Sequence, residues 1–207
     1  MIDYRNLVAE HYSKSKLFDL IINAFKKSGI EPNQLTLKDL KKVDEFHIGG
    51  LEATIDLLDN LKINSATKVI DIGSGIGGAA RHINSYYGAD VTGIDLTSDF
   101  VEAAIQLSKL VDLNINFKEA DALDIPFNDN NFDLATLLHV GMNLADKKRL
   151  FSEVARILTS GGFFALYDVM IIGEGNLIFP VPWASDAKSS FVESPEIYRA
   201  AANNAGF

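Results

Sequence analysis

The chain of 207 residues contains no cysteine. That excludes disulfides, thiolate nucleophiles and cysteine-rich zinc sites. Tryptophan occurs once and proline only five times. Positive charge is scarce: 19 Lys and Arg stand against 28 Asp and Glu, a net charge of −9. An acidic balance argues against a nucleic-acid partner, which needs a basic face. No apolar run is long enough to span a bilayer, so no membrane association is expected. The start, Met1-Ile2-Asp3-Tyr4-Arg5, lacks the short apolar core of a secretory leader, and a cytoplasmic protein is expected. The histidines show no metal-ligand spacing and the acids no calcium-loop order, so no metal is expected. Internal repeats and low-complexity tracts are also missing.

Apolar side chains are plentiful, at 47% of residues. A packed globular protein follows, with one domain and a small appendage. Residues 3–28 carry Leu7, Tyr12, Leu17, Leu20, Ile21, Ala24 and Phe25 at roughly helical spacing, closed by Gly29. A second helix is predicted over Leu37–Asp44 with Thr36 as its N-cap, and a third is marked by Leu51, Ile55, Leu58 and Leu61. From Lys68 the grammar changes. Short β-branched runs, Lys68–Ile72, Asp90–Ile94, Ile115–Glu119, Phe132–Leu138 and Gly162–Met170, alternate with helical patterns near 78–87, 98–112 and 146–158. Such alternation predicts a parallel sheet of the α/β, doubly wound, Rossmann-like class. A loop over 171–192 leads to a last helix, with Ser194 and Pro195 at its start and Gly206 at its end. The expected organisation is a helical cap, residues 1–64, before a ligand-binding domain, 65–207.

Where the first strand should turn into its helix, four of the six residues from Gly73 to Gly78 are glycine. Ligands of parallel sheets bind outside the carboxyl ends of the strands. Bare backbone lets a ligand approach closely, and the N–H groups of a helix start can hold an anion. Two ligands suit the spacing. Gly73, Gly75 and Gly78 match the dinucleotide pattern G-x-G-x-x-G, while Gly73, Gly75 and Gly77 match G-x-G-x-G. Asp95, at the end of the second strand, would accept ribose hydroxyls in either case. Asp71 separates them. Its carboxylate would repel a pyrophosphate and attract an ammonium or sulfonium group, favouring S-adenosylmethionine over NAD.

The motifs "VIDIGSGIGG", "VTGIDLT", "EADALDIPFNDNNFDLATLLHV" and "FSEVARILTSGGFFALYDV" together resemble those of class I S-adenosylmethionine-dependent methyltransferases, in order and spacing, from about residue 43 to the end. By that resemblance Gly73, Gly75 and Gly77 line the cofactor's amino-acid portion and Asp95 holds its ribose. Leu96 packs on adenine, Asp121 and Ala122 meet the adenine edge, and His139 faces the methionine end. "VDEFHIGGLEAT" and "FPVPWA" resemble a small-molecule subgroup that includes sarcosine/dimethylglycine methyltransferases. There the first segment lies beside the cofactor and the second lines the acceptor pocket.

Rival readings stand beside several of these roles. Asp121 also fits a solvated loop and His139 a core histidine bonded to backbone. Trp183 fits either an apolar acceptor wall or an anchor for its loop. Tyr12 and Phe46 would extend that wall, and Met142 and Asn143 would floor the pocket, although Asn143 equally suits a helix cap. Methyl transfer from a sulfonium needs alignment and water exclusion more than a protein nucleophile. An amine acceptor, such as a glycine derivative, must lose a proton, and His47 or His139 is the candidate to take it.

The family's sheet usually continues past the last helix into an antiparallel hairpin, and this sequence stops at Gly206-Phe207. A truncated domain is therefore expected, with a fifth-strand edge open to pairing as a homo-oligomer. Two alternatives remain at this point: an NAD-dependent oxidoreductase, and a truncated, non-catalytic binder of S-adenosylmethionine.

Overall fold

A computed structural model describes residues 17–44 and 47–207. Three helices open it: α1 (Leu17–Lys27), α2 (Leu37–Asp44) and α3 (Gly50–Leu58). Helix α1 buries Ile21, Ile22 and Phe25 on one face, with Asp19 in its first turn and Lys26 and Lys27 in its last. Those charges complement the helix dipole. The part of the predicted first helix before Leu17, including Tyr12, lies outside the described residues. Thr36 caps α2 as expected: its hydroxyl donates to Asp39 Oδ2 at 2.6 Å and accepts from the Asp39 N–H at 3.4 Å.

Strands and helices then alternate: β1 (Lys68–Ile72), α4 (Gly78–Tyr87), β2 (Asp90–Asp95), α5 (Ser98–Leu110), β3 (Asn116–Glu119), β4 (Phe132–Leu138), α6 (Lys147–Ile157), β5 (Leu158–Tyr167) and α7 (Pro195–Ala205). The sheet order is β3-β2-β1-β4-β5, and every pairing is parallel. The chain winds outward from β1 through β2 to β3, then returns to β4 on the other side of β1. That reversal opens a crevice at the carboxyl ends of β1 and β4.

The fifth strand differs from the Gly162–Met170 expected. Leu158 already pairs with Phe132, and the next pair is Phe163 with Leu134. The residues between bulge out around Gly161 at φ +79°. The strand then ends at Tyr167, where Asp168 turns the chain. Leu158 to Gly161, outside the expected strand, thus belong to it, with the bulge lying inside it.

Both faces of the sheet are covered. Ile70, Ile72 and Leu137 pack beneath Leu150, Val154 and Ile157 of α6 and Tyr198 and Ala201 of α7. Val69, Val91 and Leu134 pack against Leu58 of α3, Ile83 of α4 and Ala104 of α5. A third cluster joins α1 and α2 to Leu107 of α5 through Leu40 and Ile76. Fully burying each such aliphatic side chain contributes about 1.5–3 kcal/mol. Among the described residues, β5 pairs with β4 alone, and no helix is long and apolar enough to cross a membrane.

Candidate functional site

A cavity of about 450 Å³ opens at the carboxyl ends of β1, β2 and β4. Its lining brings together Asp71, Gly73, Gly75, Asp95, Leu96, Asp121 and Ala122 with His47, His139, Met142, Asn143 and Trp183. Residues predicted from six separate segments therefore meet at one place. Gly77 is absent from the lining, and Tyr12 and Phe46 lie outside the described residues.

The glycines play different parts than their number suggested. A β-carbon on Gly73 would lie 2.2 Å from Val140 Cγ2, and one on Gly77 would lie 2.7 Å from the Phe117 ring. One on Gly78 would lie 2.6 Å from the Asp44 carbonyl oxygen. Of the four, only Gly75 has nothing within 4 Å of that position among the described residues. At three of the four glycines the missing β-carbon thus makes room for protein. Gly73, Gly75 and Gly77 also hold φ values of +71°, +54° and +89°, which side-chain-bearing residues rarely adopt.

Four N–H groups of the glycine loop are bonded within the protein. The Gly73 and Ser74 N–H groups both donate to the Ile94 carbonyl, at 2.8 and 2.9 Å. Gly75 N–H donates to Asp95 Oδ2 at 2.9 Å, and Gly77 N–H to the Ser74 carbonyl at 2.8 Å. Three of these donors tie the loop to the end of β2, and the fourth closes a turn within the loop. A pyrophosphate would find them already engaged.

The acids are placed by the sheet itself. Asp71 sits in register beside Thr136 on β4, and the Thr136 hydroxyl donates to Asp71 Oδ1 at 2.7 Å. Asp71 is 2% exposed yet lines the cavity. Asp95 accepts from Gly75 through one oxygen and from Thr97 N–H at 2.9 Å through the other. Burial raises its pKa, while these backbone donors pull the other way. The Thr97 hydroxyl and the Leu96 N–H add to the donors around this carboxylate. Asp121 accepts from Leu123 N–H at 2.8 Å, holding its own turn while it lines the cavity. With Asp44, the lining carries four carboxylates and, among the described residues, neither lysine nor arginine.

At the other end, the His47 and His139 rings lie 5.6 Å apart, and Tyr167 is 5.1 Å from His139 and 6.1 Å from His47. His47 Nδ1 faces the Ile48 carbonyl at 3.2 Å and so carries the proton. Its Nε2 then accepts from the Thr54 hydroxyl at 3.1 Å. Both ring nitrogens are engaged, which weakens the expectation of His47 as a base. His139 follows β4 at φ +54°, with its N–H donating to the Tyr167 carbonyl at 2.8 Å. Burial first, and then neighbouring His47, push the His139 pKa down to about 4. The ring is neutral near pH 7.

Asn143 does not cap the next helix. Asp146 does, accepting from Arg149 N–H at 2.9 Å. The Asn143 amide instead donates to the carbonyls of Trp183 and Ser189, at 3.0 and 2.9 Å. Trp183 lines the cavity and also donates from Nε1 to Ser190 Oγ at 3.0 Å, so wall and anchor coexist.

Sequence reasoning missed Asp44, Ser74, Thr136 and Tyr167. A threonine within the apolar run "DLATLL" was a signal for Thr136, since a buried hydroxyl needs a partner. Ser74 is 9% exposed, lines the cavity, and its Oγ has no hydrogen-bond partner among the described residues. Buried hydroxyls are normally bonded, so this one points to a ligand group. Nothing local marked Asp44 or Tyr167.

Residues 70–166 match the methyltransferase domain family. Phosphoethanolamine N-methyltransferase of Plasmodium falciparum is 37% identical over 155 residues, 69% of this chain and 56% of that protein. Chloroplastic tocopherol O-methyltransferase of Arabidopsis thaliana is 38% identical over 97 residues, 46% of this chain and 28% of that protein. The chain thus spans little more than half the length of the first of these relatives. Among solved structures, Haemonchus contortus phosphoethanolamine N-methyltransferase 2, in complex with phosphomonomethylethanolamine and S-adenosylhomocysteine, superposes with a TM-score of 0.73. It is 22% identical and covers all of this chain and 45% of its own. A Galdieria sulphuraria protein described as a sarcosine dimethylglycine methyltransferase gives a TM-score of 0.62 at 23% identity, covering 75% of this chain and 61% of its own.

Proposed function

Because residues 70–166 of this chain form a methyltransferase domain, we propose that its cavity binds S-adenosylmethionine and serves methyl transfer to a small amine, glycine derivatives included. The acidic lining carries this reading. A cationic sulfonium and ammonium gain from four carboxylates, whereas a dinucleotide pyrophosphate would meet the same carboxylates and a loop whose N–H donors are engaged.

Each residue then has a part. Asp95, at the carboxyl end of β2 and in the cavity lining, accepts the ribose hydroxyls. Asp71, held by Thr136, faces the positive amino-acid end, and the Ser74 hydroxyl gains the partner it lacks among the described residues. Leu96 and Ala122 provide apolar contact for the adenine. S-adenosylmethionine supplies a methyl carbon already activated by a sulfonium, so the chain's task is to align the acceptor and exclude water.

The acceptor end lies by His139 and Trp183. An ordinary alkylammonium has a pKa of about 10, far above that of His139. His139 therefore orients a neutral amine by accepting its hydrogen bond, and the proton leaves to solvent before attack. Trp183 offers an aromatic face to the cationic product. Two of the relatives bear N-methyltransferase or amine-acceptor names, which agrees with an amine.

Thermal shift and calorimetry with S-adenosylhomocysteine and with NAD test the cofactor. S-adenosylhomocysteine is expected to raise the melting temperature, and Asp95→Ala to weaken its binding by about tenfold or more, the loss of roughly one charge-assisted hydrogen bond. Stabilisation by NAD alone would overturn the reading. Isotope transfer from S-adenosylmethionine to glycine, sarcosine, dimethylglycine, ethanolamine and phosphoethanolamine then tests the acceptor. Cofactor binding with no transfer to any amine would favour a binder without turnover.

A further inference from the structure

The chain between Asp168 and Ser194 has little regular structure of its own, only the single turn Ala187–Ser189 and an isolated bridge between Val181 and Ala184. Yet it delivers Trp183 to the cavity wall, and Ala184 beside it is fully buried. Something must hold this strap in place.

The holding groups come from one short segment directly after His139. The two N–H bonds of the Asn143 side-chain amide reach two points of the strap, the Trp183 and Ser189 carbonyls, at 3.0 and 2.9 Å. The Met142 carbonyl accepts from Phe191 N–H at 2.7 Å. Lys147, 4% exposed, donates from Nζ to the Phe191 carbonyl at 2.7 Å and to Leu144 at 2.6 Å. Asn143 is itself 5% exposed. A buried amide whose two donors serve two carbonyls fixes distance and direction together.

We infer that Asn143 and Lys147 are positioning residues that clamp the strap and thereby set the distance between the Trp183 wall and His139, so that they govern acceptor specificity without entering the chemistry. The inference rests on reading this end of the cavity as the acceptor site. The segment Gly141–Asn143 borders the cavity on one side and grips the strap on the other. Any shift of the clamp moves the aromatic wall relative to His139. Removing the Asn143 amide leaves two strap carbonyls without that donor and frees the Trp183 backbone to move outward.

Trp183 is the chain's only tryptophan, so its fluorescence reports on the strap directly. In ligand-free protein, Asn143→Ala is expected to shift the emission to the red and raise acrylamide quenching by about twofold or more, as local opening exposes the ring. Lys147→Met, which retains the apolar stem and releases Phe191, is expected to act in the same direction. Lys188→Ala, on the strap's exposed outer side, serves as the control and should leave the emission unchanged. Circular dichroism and melting establish that each variant is folded. Should Asn143→Ala fail to fold, Lys147→Met carries the test. Folded variants with the parent's emission and quenching would overturn the clamp. With an amine that accepts the methyl group, Asn143→Ala is expected to raise the acceptor KM about tenfold while the S-adenosylhomocysteine Kd stays within about twofold. Equal losses in both would overturn the positioning role. Failure of the parent to bind S-adenosylhomocysteine would instead sink the cofactor reading, and the ligand-free fluorescence would still decide the clamp.

Discussion

Gly73 has no room for a β-carbon, because Val140 Cγ2 would lie 2.2 Å away. Its φ of +71° adds backbone strain to the clash. Gly73→Ala is therefore expected to cost about 2–4 kcal/mol in urea unfolding, whereas Gly75→Ala, strained but in open space, should cost only about 1 kcal/mol. Shortening the neighbour by Val140→Ala should recover part of the Gly73→Ala loss. At His139 the effect is one of pH. Its folded pKa of about 4 lies below the ordinary 6.5. Between those values the unfolded chain binds a proton that the folded chain does not. Stability from this site is then complete above about pH 6.5 and lost as the pH falls to about 4. His139→Asn, which tolerates positive φ, should flatten the melting temperature over that window. A variant that falls as steeply as the parent would contradict the assignment.

At the scale of elements, α2 reaches the site through one buried ion pair. Arg81 of α4, 1% exposed, grips the Asp44 carboxylate with its Nη2 and lies 3.2 Å from Ser108 Oγ on α5 through Nη1. Gly78 makes this possible, since a β-carbon there would lie 2.6 Å from the Asp44 carbonyl oxygen. A pair of this kind stabilises little beyond an apolar equivalent, but breaking it leaves a buried charge. Arg81→Met is expected to destabilise by about 3–5 kcal/mol. Combining it with Asp44→Asn should restore much of the loss, a coupling that a double-mutant cycle in urea would read. The boundaries of these elements were largely legible in the sequence. Gly29 and Gly206 closed their helices and Thr36 opened one, because caps are local chemistry. The fifth strand was misjudged because its bulge at Gly161 depends on the partner strand.

For the whole molecule, the order of rigidity follows the order of strands. β1 and β4 are bonded on both sides, while β3 and β5 each have one partner among the described strands. Hydrogen exchange monitored by mass spectrometry should therefore be slowest over Val69–Ile72 and Leu134–Leu137 and fastest over residues 172–180. S-adenosylhomocysteine should add protection at the ends of β1 and β2, next to Asp71 and Asp95. Exchange over β1 as fast as over β5 would contradict a core centred on the switch between β1 and β4.

Local patterns determined the alternation of strands and helices, the turn glycines, and the acids that end β1 and β2. Those depend on neighbours a few residues away, and so periodicity and spacing expressed them. Tertiary structure alone decided what each of those residues faces. Gly77 leaves room for the Phe117 ring, Asp71 meets Thr136, 65 residues away, and Asn143 meets Ser189, 46 residues away. A contact between distant residues leaves no period in the chain, since it is set by strand order and by where the crossovers place their ends. The donors of the glycine loop were readable as present in the sequence. Only the fold showed that β2 had already taken those of Gly73, Ser74 and Gly75.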